Sequence, residues 1–221
     1  MSRELREFVS AKLGHQPRDI GLFERAVTHS SLGRDSYERL EFLGDRALGL
    51  VIGRWLYERF ETEPEGQLSR RHNALVARET CADVGRALGL PPLIRLGKQA
   101  REDGASDSDN VVGDVVEALI GALLLDGGLG AADAFVRRAW APHLDAQGKA
   151  PVHAKSALQE LAAERRLATP VYEIVARTGA QHAPRFTVRV AVRNAGEATG
   201  EGASKQEAET AAATALLDQL Q

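Results

Sequence analysis

The spacing of apolar residues changes once along the chain, near residue 143. Before that point apolar residues recur every three or four positions, which predicts helices almost throughout. After residue 153 the pattern predicts a helix, three strands and a helix; the segment RFTVRVAVRN alternates apolar and polar residues, as a half-buried strand does. The polar stretch between these regions contains Gly148 and Pro151 and is predicted to be a linker.

These patterns predict two domains of different fold class. Residues 1–143 are expected to form an all-α domain, and residues 144–152 the linker. Residues 153–221 are expected to form a small α+β domain of order α-β-β-β-α, with two helices covering one face of an antiparallel sheet.

Composition and charge are those of a globular protein. The 221 residues are 43% hydrophobic and 27% charged, enough to bury a core. The net charge is −3, so a surface that binds nucleic acid must depend on the arrangement of charges rather than on their total. The single cysteine, Cys81, cannot form an internal disulfide and is expected to be buried like a small apolar residue. The charged N-terminal segment and the short apolar runs predict a cytoplasmic protein without a membrane role.

The segment ERLEFLGDRALGLVI, residues 38–52, places its acidic residues on one side of a predicted helix. At roughly 100° per residue, Glu38, Glu41 and Asp45 fall close together. The opposite, apolar side carries Leu40, Leu43, Ala47 and Leu50. Glu41 and Asp45 repel each other at i,i+4, and no Lys or Arg lies three or four positions from either.

A second segment, NVVGDVVEALIGALLLDGG at residues 110–128, has a similar feature. Asp114 and Glu117 lie three apart on a helix that is apolar nearly all round and is predicted to end at Gly127 and Gly128. Either segment alone is better explained as a solvated acidic face. Together they favour a metal site between two facing helices, because buried carboxylates need a partner and oxygen ligands select Mg²⁺ or Mn²⁺.

In this order, these segments resemble bacterial ribonuclease III. ERLEFLGDRALGLVI resembles the signature helix of that family, and the neighbouring blocks AVTHSSL, EGQLSRRHNALVARETCADVGRALGL and VVGDVVEALIGALLLDGG match as well. The region after the linker resembles a double-stranded-RNA-binding domain. The resemblance is collinear, covers nearly the whole chain, and implies an all-helical endonuclease domain followed by an RNA-binding domain.

The resemblance implies roles for four acidic residues. Glu41, Asp114 and Glu117 match the metal ligands of the family. Asp45 matches the residue that acts with them, so that Asp45 and Glu117 are the expected catalytic residues.

Three further positions match the family with less defined roles. Glu38 and Glu65 match secondary acidic positions, for which outer-shell, substrate-binding and subunit-contact roles are all open. Phe42 matches an aromatic residue that packs into the partner subunit of a homodimer, although residue type alone would place Phe42 in the core.

The second domain is expected to contact duplex RNA through its two helices and the loop after its first strand. The matching positions are Ser156, Gln159, Glu160, His182, Ser204 and Lys205. The sequence departs from the family at the start of the last helix: SKQEAE carries only Lys205, where the family has two or three basic residues in a row.

The function implied by the resemblance is Mg²⁺-dependent hydrolysis of double-stranded RNA, leaving 5′-phosphate and 3′-hydroxyl ends. Phosphodiester hydrolysis needs a strong nucleophile and charge stabilisation, which carboxylate-held Mg²⁺ supplies, and Mn²⁺ is expected to substitute. Precursors of ribosomal RNA and structured messenger RNAs are the expected substrates. Two alternatives are a non-catalytic dimer that binds duplex RNA, which loss of the acidic residues would indicate, and a phosphohydrolase of small nucleotides, which the second domain disfavours.

Overall fold

A computed structural model describes residues 2–151, 154–180 and 183–220. The chain separates into two compact units, Met1–Pro151 and Val152–Gln221. His182, one of the residues predicted to contact RNA, lies outside the described residues.

The first unit is helical, as its apolar spacing predicts. Its α-helices are α1 (Ser2–Phe8), α2 (Ile20–Ala26), α3 (Glu38–Arg59), α4 (Glu65–Leu75), α5 (Arg78–Leu88), α6 (Lys98–Glu102) and α7 (Asp109–Ala146). A π-helical segment, Val9–Leu13, continues α1. The β-type pairing in the described part of this unit is an isolated bridge between Thr28 and Arg95.

Helix α7 is the apolar centre of the first unit. Every residue from Val111 to Leu123 is buried except Asp114 and Glu117, which are partly exposed. By length and composition α7 could cross a membrane, but 56% of its most apolar stretch is buried inside the protein. Packing against the neighbouring helices therefore accounts for much of its apolar character.

Gly128 interrupts α7 with backbone angles φ 76° and ψ 178°, a conformation that glycine adopts at low cost. The predicted helix end at Gly127 and Gly128 is thus a break, after which the chain is helical again as far as Ala146. Leu144 in this second part is buried in the core. The prediction that the linker begins at residue 144 is therefore wrong, because tertiary packing keeps that segment helical.

Helix α3 buries Leu40 and Ala47 as predicted, but it leaves Leu50 60% exposed. Leu50 lies at the edge of the apolar side of the helix, which agrees with its exposure. Phe42 and Tyr57 are also exposed, at 62% and 76%, so Phe42 is not part of the core. Phe42, Leu50 and Tyr57 lie on one flank of the helix and are called the α3 strip below.

The second unit has the predicted order and fold class. Its elements are α8 (Ala154–Glu164), β1 (Val171–Ala180), β2 (Ala183–Val192), β3 (Gly196–Gly202) and α9 (Lys205–Leu220). The strands form an antiparallel sheet in the order β1-β2-β3. The predicted alternation in β2 is confirmed, because Val188, Val190 and Val192 are buried against the apolar sides of α8 and α9.

Candidate active site

Two glycines form the crossing of α3 and α7. A methyl group added at Gly44 would overlap the carbonyl of Glu117, and one added at Gly121 would overlap the carbonyl of Leu40. Because glycine has no side chain, the two backbones approach more closely here than any other residue would permit. This contact places Glu41, three residues before Gly44, beside Glu117.

Three carboxylates meet next to this crossing. One oxygen from each of Glu41, Asp114 and Glu117 lies within 4.8 Å of the other two. Among the described residues, this is the group with the geometry to hold a metal ion. The structure thus brings together the three predicted ligands from two helices, and their all-oxygen donor set suits a hard cation.

Burial and mutual repulsion raise the pKa values of these carboxylates. Burial is the largest cause that raises the pKa of Glu117 to about 7, and the negative charges of Asp45, Asp114 and Glu41 are the next causes. The pKa of Glu41 is raised by burial and next by the charge of Asp114. Burial also raises the pKa of Asp114. A cation among the three would favour their ionised forms, so the site fits a bound metal.

Two protonated side chains donate hydrogen bonds to the carboxylate cluster. The Tyr37 hydroxyl donates to Oδ2 of Asp114 at 3.2 Å, and the Cys81 thiol donates to Oε1 of Glu117 at 3.9 Å. Burial and the nearby acids raise the pKa values of both groups, so both remain donors. Cys81 is buried as predicted, but its contact with Glu117 was not predicted, because no spacing along the sequence connects the two residues.

Asp45 lies beside the cluster, outside the group of three. Arg46 Nη1 donates to Oδ2 of Asp45 at 2.9 Å and to the carbonyl of Phe42 at 3.0 Å. The Arg46 guanidinium also stacks 3.9 Å from the centre of the Phe42 ring. Ion pairs along a helix are expected between residues three or four positions apart. Arg46 directly follows Asp45, so the helical spacing did not predict this pair.

The two secondary acidic residues lie in different places. Glu38 accepts a hydrogen bond from the Ser36 hydroxyl at 2.9 Å, and its charge contributes to the raised pKa of Glu41. Glu65 is in the first turn of α4, exposed, and accepts from the Ser69 hydroxyl at 2.6 Å. Neither belongs to the metal-holding group found among the described residues.

The described RNA-contact candidates lie on the outer sides of α8 and α9. The exposed residues of α8 in this set are Ser156, Gln159 and Glu160. Ser204 caps α9, its hydroxyl accepting from the backbone N–H of Glu207 at 3.2 Å. Lys205 begins α9, with its ammonium 3.6 Å from the carboxylate of Glu209.

Comparison with known proteins assigns both units. A family model described as Ribonuclease-III-like matches residues 19–144, and a model described as Double-stranded RNA binding motif matches residues 154–220. Ribonuclease 3 from Zymomonas mobilis is 58% identical over 213 residues, which cover 96% of this chain and 87% of that protein. Ribonuclease 3 from Rhodopseudomonas palustris is 45% identical over 214 residues, covering 95% and 79%.

The fold has a matching counterpart among solved structures. The nuclease domain of ribonuclease III from Campylobacter jejuni is 33% identical and superposes with a TM-score of 0.59, covering 60% of this chain and 94% of that one. That structure is described as showing flexibility in a region involved in dimer formation. From these matches, and from the four acidic residues gathered at the crossing of two helices, the chain belongs to the ribonuclease III family and is an endoribonuclease specific for double-stranded RNA.

Proposed function

We propose that the chain cleaves duplex RNA with Mg²⁺ held by Glu41, Asp114 and Glu117, and that Mn²⁺ can replace Mg²⁺. The observation that carries this proposal is the convergence of the three carboxylates within 4.8 Å. Glu41, Asp114 and Glu117 would hold the ion, which would supply activation of water and neutralisation of charge on the phosphate. The expected products carry 5′-phosphate and 3′-hydroxyl ends.

The surrounding residues orient the ligands and the water. Tyr37 and Cys81 hold Asp114 and Glu117 through hydrogen bonds, which restricts the rotation of both carboxylates. Asp45 lies outside the ligand group, and its side chain is 48% exposed, so it is accessible to RNA and solvent. We assign Asp45 to orient the attacking water, together with Glu117.

We propose that two copies of the chain form a homodimer through the α3 strip. Phe42 and Tyr57 lie near opposite ends of α3, with Leu50 midway, and all three are exposed apolar side chains. A second copy running antiparallel would bring each Phe42 opposite the other copy's Tyr57. Such a self-complementary arrangement is what a twofold interface requires.

The proposed biological substrates are precursors of ribosomal RNA and structured messenger RNAs in the cytoplasm. Family membership supports this assignment. When the Glu117→Gln variant replaces the parent chain in the host cell, unprocessed precursors of ribosomal RNA are expected to accumulate. Blotting of the cellular RNA measures them. Normal processing in that strain would contradict the assignment.

One cleavage assay tests the metal mechanism. Long duplex RNA is incubated with the parent chain in Mg²⁺, in Mn²⁺ and in EDTA, and with the variant Glu117→Gln in Mg²⁺. We expect cleavage only by the parent with a metal, and ligation of the products is expected to show their 5′-phosphates. Glu61→Gln, which changes an exposed glutamate of the same unit, is the matched control and should cleave normally. Cleavage that survives EDTA or Glu117→Gln would overturn the mechanism.

A further inference from the structure

Two lysines of the second unit share one carboxylate. Lys155 of α8 lies 2.5 Å from Oε2 of Glu209, and Lys205 of α9 lies 3.6 Å from Oε1 of the same residue. The Glu209 side chain is only 13% exposed, whereas the lysines are 42% and 62% exposed. One negative charge thus faces two positive charges, and both ammonium groups remain accessible from solvent.

This group lies between the two predicted sets of RNA contacts. Lys155 is one helical turn before Gln159, so both residues lie on the same side of α8. Lys155 and Lys205 line one open groove, together with Gln206 and Thr210. The groove therefore joins the exposed residues of α8 to the first turn of α9.

We propose that Lys155 and Lys205 bind a backbone phosphate of duplex RNA in this groove, and that Glu209 competes with the phosphate for both lysines. The inference rests on the proposed RNA-binding role of the second unit. Lys155 supplies from another helix the second cation that the segment SKQEAE lacks next to Lys205. The groove is thereby suited to an anion although the unit as a whole carries no excess of positive charge.

Glu209 is positioned to weaken this binding. Its carboxylate is held by the hydrogen bond from Lys155, which also lowers the pKa of Glu209, so it stays ionised at neutral pH. A lysine paired with a protein carboxylate neutralises less phosphate charge than a free one, so fewer cations are released from the RNA. Because released counterions give RNA binding its salt dependence, the groove should bind with a shallower salt dependence than two free lysines.

The test measures binding of a duplex of about 20 base pairs, longer than the roughly 16 base pairs that one such domain spans. The full chain is titrated in EDTA over a range of salt concentrations, with the intact RNA verified on a gel. We expect Glu209→Gln to bind on the order of fivefold more tightly, the scale of one exposed ion pair. The slope of log affinity against log salt should steepen by about one.

Two further variants distinguish an effect at the groove from an effect of the total charge of the chain. Asp218→Asn makes the same charge change near the other end of α9, on an exposed side chain, and should leave the slope unchanged. Lys155→Gln should weaken binding and make the slope shallower by about one, and it should reduce the gain in affinity from Glu209→Gln, because only Lys205 is then left to be freed. If Glu209→Gln fails to fold, as judged by circular dichroism, Lys155→Gln alone decides.

An unchanged slope in Glu209→Gln or in Lys155→Gln, with a parent chain that binds, would overturn this inference alone. A parent chain that binds no duplex RNA at any salt concentration would overturn the proposed function as well.

Discussion

Without a metal, the crowded carboxylates lower the stability of the folded protein, and Glu117 shows this effect for a single residue. Its pKa in the folded state is about 7, above the ordinary 4.5 that applies after unfolding. A raised pKa means that the stability contributed by the protonated group is present below about pH 4.5 and is lost as pH rises through about 7. At pH 8 without metal, the folded chain therefore bears the full cost of an ionised Glu117.

We predict that Glu117→Gln melts at a higher temperature than the parent chain in EDTA at pH 8, because the amide keeps the shape without the charge. The difference should shrink as pH falls and vanish near pH 4, where Glu117 is protonated. Differential scanning calorimetry at both pH values measures it. Glu41→Gln should behave in the same direction, since its pKa is also raised, while Glu61→Gln should change little. A Glu117→Gln protein that melts lower than the parent in EDTA at pH 8 would contradict this account.

Single residues also show how far the sequence can predict the site. The four central acidic residues could be identified because helical periodicity puts them on defined faces and because the signature segment is long. Tyr37, Cys81 and Arg46 could not be identified in the same way. Cys81 reaches Glu117 only through the packing of α5 against α7, and Arg46 contacts its immediate neighbour, which a rule based on helical turns ignores.

At the scale of elements, the crossing of α3 and α7 determines whether the ligands meet. Glu41 is carried by one helix, and Asp114 and Glu117 by the other, so their separation follows the distance between the helix axes. Gly44 and Gly121 set that distance because each lies against the backbone of the opposite helix.

We predict that Gly44→Ala separates the helices and lowers metal-dependent cleavage by about 100-fold, the effect of a displacement of about 1 Å. Overpacking should also destabilise the fold by about 1–3 kcal/mol, measured by urea unfolding. The control is Gly130→Ala, because Gly130 is helical and has nothing within 4 Å of the added methyl group. That change should stabilise the chain by up to about 1 kcal/mol. Full activity of Gly44→Ala would refute the role of the crossing.

The limits of prediction differ between elements. The strands of the second unit could be predicted because β2 has one buried and one exposed face, which gives a regular alternation. Helix α7 could be predicted only in part: its glycines indicated an end, but burial of Phe135, Trp140 and Leu144 keeps the chain helical beyond the break. Leu50 shows the converse, since it lies on the apolar side of α3 as the periodicity predicts and is nevertheless 60% exposed.

At the scale of the whole molecule, the α3 strip predicts self-association. Phe42→Ala removes an exposed aromatic side chain of this surface from both copies and should weaken the dimer on the order of thirtyfold, the scale of losing an aromatic hot spot. Sedimentation velocity over a concentration series measures the monomer–dimer equilibrium. Leu32→Ala, which shortens an exposed apolar residue outside α3, should leave the equilibrium unchanged. A parent chain that sediments as a monomer at every concentration would exclude the interface.

The order of the two units could be predicted because the period of the apolar pattern changes between them. The link between Lys155 and Glu209 could not, because it joins residues of two helices that meet only when the second unit folds. The charge total of the second unit was uninformative for the same reason: its equal numbers of acidic and basic residues do not show which of them share a groove.

Arg46 connects the proposed dimer surface to the proposed metal site. Its guanidinium covers the ring of Phe42 and also holds the carboxylate of Asp45. A partner subunit that packs on Phe42 therefore acts on the same cation that restrains Asp45, beside the metal ligands. Thermodynamic linkage makes any such effect reciprocal: the factor by which dimer formation changes metal affinity is also the factor by which the metal changes dimer affinity. The concentration of free magnesium would then help to set the fraction of chains that are paired.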